Sequence, residues 1–281
     1  MLKNLIIRAL TGVVYVLLLI GCTVYSPVTA FGFFAVVAFC TLLEFGTIVN
    51  KHAGASVNVA VNSLAGFMLV AAVWLLCIGS DDACRSLCIY GALLLYLMVS
   101  ELYRRKENAL LNWAYALASQ IYVALPFALL PMLSVAVDEE TCSLTYQWIY
   151  PLALFVFLWT NDTGAYVFGC TLSKYVPAKL FPRISPKKSW IGSIGGGIVT
   201  LFASVLFWRL LPDTLSLTRW MGFAATVVVF GTWGDLVESL IKRHLGIKDS
   251  GNILPGHGGL LDRFDSALLA IPAVVMYMTL S

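Results

Sequence analysis

The chain has 281 residues, 60% of them hydrophobic and 12% charged, with a formal net charge of +3 and a mean hydropathy of +0.87. These values exclude a soluble globular protein, and no basic face interleaved with exposed aromatics points to nucleic acid. The small positive excess reads instead as a topology signal.

Nine apolar runs of about 20 residues follow one another, the length an α-helix needs to cross hydrocarbon. They lie at about 5–25, 28–49, 57–78, 86–103, 112–136, 148–170, 191–211, 220–241 and 264–280. The first is read as a retained span, because it is long, Cys22-Thr23-Val24 is a poor cleavage site, and the chain stays apolar afterwards. With the N-terminus in the cytoplasm, all but three of the 18 Lys and Arg residues fall inside. Only Arg85, Arg209 and Arg219 fall outside, along with Asp81, Asp82 and Asp138–Glu140. The expected fold is all-α: one polytopic membrane bundle of about nine transmembrane helices, N-terminus cytoplasmic, with no soluble domain. Its N-terminal spans occupy 1–145 and its catalytic spans and loops 146–281. The seven cysteines form no CxxC pair and read mostly as small hydrophobes within spans.

Function is expected where polar residues intrude into the spans or cluster beside them. Glu44 in span two, at a depth similar to Asp162, could pair with a cation or line the same cavity, a weaker case because no polar cluster surrounds it. In span six the run Trp159 to Gly169, WTNDTGAYVFG, puts Asp162 about 12 Å from the cytoplasmic end among Thr160, Asn161 and Thr163. An ionisable group at that depth is a functional candidate by default. Next comes ISPKKSWIGSIGGG, Ile184 to Gly197. Lys174, Lys179 and Arg183 read as positive-inside anchors, whereas Lys187 and Lys188 follow a Ser-Pro turn that suits a fixed phosphate clamp. The glycines 195–197 fit either that loop or a close helix-packing face.

In span eight, Asp235, Glu238, Ser239 and Lys242 follow i, i+3, i+4, i+7 and share one helix face. Lipid would not solvate that stripe, so it must face protein, water or a ligand. Asp262 and Asp265, spaced i, i+3 at the start of span nine, have a helix-capping explanation. Capping accounts comfortably for one of them; metal coordination accounts for both, with Asp235 as a third carboxylate. Carboxylates beside cations and a Gly-rich turn are what holds a divalent cation against a polyphosphate: hard oxygen ligands, Lys and Arg for phosphate charge, and glycines for backbone approach.

The run from Ser239 to Asp265, SLIKRHLGIKDSGNILPGHGGLLDRFD, resembles the signature of the phosphatidate cytidylyltransferases (CDP-diacylglycerol synthases). W159-x-x-D162-x-x-A165-Y166-x-x-G169 and S185-P-K-K-S-W190 are similar to that family's other shared stretches. The resemblance covers about 155–270. It departs at Ile191, where the family usually has an acid, and at Cys170, where it often has Arg. The resemblance implies transfer of CMP from CTP to phosphatidic acid, giving CDP-diacylglycerol and pyrophosphate, by a homodimeric, multi-pass enzyme. It implies Mg²⁺ and admits a second, monovalent cation. On this basis Asp235, Asp262 and Asp265 are expected at the metal, and Lys187, Lys188 and Lys248 at phosphates. His257, Gly258 and Gly259 form the turn beside them, and Asp162 supports the site from span six. Ser185, Ser239, Lys242, Arg243, Asp249 and Arg263 complete the expected substrate-binding set. The short termini favour a bacterial plasma-membrane form with the site on the cytoplasmic side. A CTP-dependent lipid kinase shares the ingredients but transfers the γ-phosphoryl. An ion-coupled transporter would show broken helices near the midplane, whereas charge here gathers at one face.

Overall fold

The computed structural model describes residues 2–104, 108–137, 143–175, 177–251 and 258–281. Arg105, Lys106, Asp138–Glu140, Cys142 and His257, all used in the sequence reading, lie outside the described residues. Among the described residues nine helices run in chain order: α1 (Leu2–Tyr25), α2 (Pro27–His52), α3 (Val59–Cys77), α4 (Asp82–Arg104), α5 (Ala109–Ser134), α6 (Ile149–Leu172), α7 (Trp190–Leu210), α8 (Leu217–His244) and α9 (Leu261–Leu280). They match the nine apolar runs to within a few residues at most ends, and the chain is a polytopic helical membrane protein. Seven of the helices, α2 to α5 and α7 to α9, are long and apolar enough to cross a membrane. The polar run Thr160-Asn161-Asp162-Thr163 dilutes the hydropathy of α6.

Two features were not expected from an all-α reading. Antiparallel hairpins join β1 (Val135–Val137) to β2 (Leu144–Tyr146), and β3 (Lys179–Phe181) to β4 (Ser185–Ser189). The second corrects the Ser-Pro turn: Ser185 to Ser189 is a strand. In a two-stranded hairpin each strand keeps an unpaired edge, so Pro186 needs no ladder donor there.

The chain divides into two compact bodies. The first contains Met1–Pro151 and His244–Phe264. Within it Ser26 opens α2 with a capping box to Thr29, and Pro27 occupies the first turn where its missing N–H costs nothing. Helix α3 packs against α2, α4 and α5. A polar lock joins α3 and α5: Asn62 Nδ2 donates to Ser119 Oγ at 2.7 Å, and Gln120 Nε2 donates to the Asn62 carbonyl at 2.8 Å. It sits where α5 takes a π-helical turn, Gln120–Ala124. A second network is centred on buried Glu101, which accepts from Arg104 at 2.6 Å and from Asn112 at 2.8 Å.

The second body contains Leu152–Arg243 and Asp265–Ser281. Its core is aromatic, with Phe157 against Phe207, Trp220 and Phe223 at ring-centroid distances of 5.0, 6.1 and 5.7 Å. Helices α6 and α7 meet backbone to backbone: a Cβ at Gly164 would stand 2.9 Å from Gly196 Cα, and one at Gly196 would stand 2.5 Å from the Asn161 carbonyl. The triple glycine 195–197 is therefore a packing face, because small residues are what let two helix backbones approach this closely.

Candidate active site

In the second body, four elements converge on a cavity of about 260 Å³. Asp162 reaches it from α6, Lys187 and Lys188 from β4, Gly192 and Ser193 from the first turn of α7, and Asp235 from α8. Local structure accounts for each position. Ser189 ends β4 and caps α7, its hydroxyl accepting from Gly192 N–H at 3.2 Å, so the strand runs into the helix without slack. That fixes the two lysines just ahead of a helix N-terminus. The glycine seam brings α6 alongside α7, and Asp162 lies next to buried Asn161 on that seam. Asp162 and Asp235 thus share one water-accessible cavity, as the depth of Asp162 in span six suggests.

Lys188 Nζ forms an ion pair with Asp235 Oδ2, both side chains being roughly three-quarters buried. Ser239 Oγ donates to Asp235 Oδ1 at 3.2 Å. One turn further, Lys242 pairs at 2.5 Å with Glu238, whose side chain is fully buried. The stripe on α8 is therefore a ladder of internal pairs. Lys242, expected at substrate, is the counter-ion that makes a buried Glu238 tolerable. Helix α9 approaches α8 closely: a Cβ at Gly234 would lie 2.6 Å from the Asp265 carbonyl. This puts Asp265 within electrostatic reach of Asp235, Asp162 and Lys242. Ser185 is half-buried on β4, and Arg243 is exposed at the end of α8.

The first body holds the other half of the expected set. Lys248 and Asp249 line a cavity of about 650 Å³ together with Glu44, Lys51 and His52 of α2. Gly258 has a φ of +84°, the left-handed region that suits glycine, and any Cβ on it would meet Asp262 Oδ2 at 2.6 Å. Asp262 Oδ2 accepts from the backbone N–H of Ser250 and of Gly259, both at 2.9 Å. Glu44 accepts from Leu260 N–H at 2.8 Å, from Leu261 N–H at 3.3 Å, and from the Ser250 hydroxyl. Two carboxylates thus take four backbone amides. The expectation that the glycine turn aims its amides at phosphate is corrected here, since the amides of Gly259, Leu260 and Leu261 face protein carboxylates. Asp262 serves that turn as a clasp. Arg263 is exposed.

Glu44 is the residue that sequence reasoning undervalued. It looked isolated in span two because its partners lie more than 200 residues along the chain. In the sequence Lys51 counts only toward the cytoplasmic positive charge, and nothing there singles out His52. The six described cysteines are free.

Among the described residues no three His, Cys, Asp or Glu side chains are gathered closely enough to hold a metal ion. Mg²⁺ does not require that. It usually takes one or two carboxylates and completes its octahedral shell with water and substrate phosphate. Asp235 and Asp265, hard oxygen donors within electrostatic reach of each other, fit such a site.

Comparison with known proteins adds an independent line. The model of the cytidylyltransferase family matches residues 6–281. A phosphatidate cytidylyltransferase of Staphylococcus haemolyticus is 46% identical over 125 residues, 44% of this chain and 46% of that protein. One of Staphylococcus saprophyticus is 39% identical over 170 residues, 60% of each chain. One of Staphylococcus aureus is 45% identical over 123 residues, 44% of this chain and 46% of that one. The chain spans about half the length of the curated relatives it matches.

Proposed function

This chain belongs to the cytidylyltransferase family, and we propose that it transfers CMP from CTP to phosphatidic acid, releasing pyrophosphate, at the cytoplasmic face of a bacterial plasma membrane. The observation that carries the reading is the cavity in which Lys188 pairs with Asp235, with Lys187 and Asp162 also in its lining. Neutralising a polyphosphate while holding acidic groups beside it is the task of such an arrangement.

An oxygen of the lipid phosphate forms a bond to the α-phosphorus of CTP, and the bond from that phosphorus to the bridging oxygen breaks. Pyrophosphate leaves with the electron pair. The nucleophile is already anionic and so is the leaving group, so little proton transfer is needed. What remains is positioning and charge neutralisation. Lys187 and Lys188 hold CTP phosphates. The Lys188 ammonium, paired with Asp235 in the free site, turns to a CTP phosphate when substrate binds. Ser239 orients the Asp235 carboxylate. Asp235 and Asp265 would hold Mg²⁺, which would supply charge stabilisation at the phosphates. Asp162 keeps the cavity polar from the α6 side. In the first body, Lys248 offers positive charge beside Lys51 and His52, suiting an anionic substrate group.

The family reading also carries a homodimer, checked by cross-linking in native membranes. The reaction is tested with purified protein, phosphatidic acid and CTP labelled at either the α- or the γ-phosphate. Transfer of α-label to lipid is the expected result. Transfer of γ-label would identify a lipid kinase instead, and no transfer of either would overturn the assignment.

A further inference from the structure

We propose that Glu44 is a positioning residue for the transfer reaction: it fixes the polar turn ahead of α9 and, through Ser250, the placement of Lys248. The inference rests on the cytidylyl-transfer reading, but its structural half is measurable without it.

Glu44 is 6% exposed and its carboxylate is surrounded by donors. Leu260 and Leu261 supply the N–H groups that open α9, where a helix has no backbone acceptors of its own. A carboxylate at that place satisfies them and is favoured by the helix dipole. The Ser250 hydroxyl donates to the same carboxylate, and Ser250 N–H donates to Asp262. Residue 250 is thereby tied to α9 through Asp262 and to α2 through Glu44. The backbone is shaped to Glu44 as well: a Cβ at Gly259 would fall 1.8 Å from Glu44 Oε1, and one at Gly251 would fall 3.1 Å from its carboxyl carbon. These glycines leave room for the Glu44 carboxylate.

The consequence reaches Lys248, two residues before Ser250. Glu44 and Lys248 line the same 650 Å³ cavity. Without Glu44, Ser250 loses its side-chain anchor, and the lysine loses its fixed bearing. Only Glu meets the need. Asp is one methylene too short. Gln would turn an NH₂ donor toward groups that are themselves donors.

The test uses full-length protein in lipid nanodiscs and compares wild type, Glu44→Gln, Ser250→Ala and, as a control, Asp82→Asn at the exposed Arg85 pair. Peptide-resolved amide exchange is read alongside kcat and KM for CTP. In Glu44→Gln, exchange at residues 259–261 should rise about 10-fold or more, the scale of losing hydrogen bonds to a charged group, with α3–α5 unchanged. Turnover should fall by a similar factor. Ser250→Ala should move both in the same direction by less, and it keeps the proposal testable if Glu44→Gln fails to fold. Unchanged exchange at 259–261, or full turnover despite raised exchange, would overturn the role. A uniform rise across the first body would do so too, because Glu44 would then be only a stability residue. Absence of transfer by the wild type would sink the proposed reaction, whereas the exchange comparison would still judge the turn.

Discussion

Lys188, at the end of a β-hairpin, makes an ion pair with Asp235 in the middle of a helix that begins 29 residues later in the chain. The pair joins two residues that the sequence offered for opposite tasks, one for phosphate and one for metal. Pairing lets both charges stand partly buried, because each supplies what the other lost from water. It also makes each dependent on the other.

Lys188→Ala is therefore expected to lower kcat/KM for CTP by about 100-fold or more, the scale of removing an electrostatic contact to a reacting phosphate. Lys174→Ala should change it less than about 2-fold, since Lys174 lies 4.7 Å over the Tyr175 ring and outside the cavity lining. Steady-state kinetics on the two variants decides it. Equal, small effects would reduce the lysines of 174–188 to topology anchors.

The two acids of α9 should separate. Asp265→Asn removes a charge within reach of Asp235, and a loss of about 100-fold in turnover is expected. Asp262→Asn retains a carbonyl oxygen that can accept from Ser250 and Gly259, so its loss should stay below about 10-fold. Titrating Mg²⁺ should raise the half-saturating concentration for the first variant and not for the second. The reverse order would return Asp262 to the metal.

Gly196→Ala tests the seam that carries Asp162. The added Cβ meets the Asn161 carbonyl at 2.5 Å and its Oδ1 at 2.9 Å, so α6 and α7 must move apart. Overpacking of this kind costs about 1–3 kcal/mol. A lower thermal midpoint in detergent and weakened turnover are expected together. Gly21→Ala, where nothing lies within 4 Å of the new Cβ, should leave both unchanged.

Lys51→Ala asks whether the first-body cavity takes substrate charge. The expected result is a KM raised several-fold for one of the two anionic substrates with kcat little affected, because Lys51 lines the cavity with Lys248 and is exposed. Unchanged KM for both CTP and phosphatidic acid would leave Lys51 as a positive-inside anchor alone.

Span number and position followed from the sequence because hydrocarbon imposes them locally. About 20 apolar residues make a helix there whatever lies beside it. The candidate residues were visible for the same reason, since Asp162 or Asp235 in an apolar helix stands out against its neighbours. What each of them touches was another matter. The spacing of Asp235, Glu238, Ser239 and Lys242 placed them on one face, but only packing decided that Lys242 answers Glu238 while Lys188 answers Asp235. The signature run marked Gly258 and Gly259 as a turn, and its composition suited phosphate. One of the two carboxylates at the turn comes from α2, more than 200 residues away, and its sequence surroundings are mostly apolar. Periodicity and motif describe what one segment presents. Which partner neutralises a buried charge depends on which helices meet, and in this chain that was set by glycine seams and by a hairpin whose contacts are long-range.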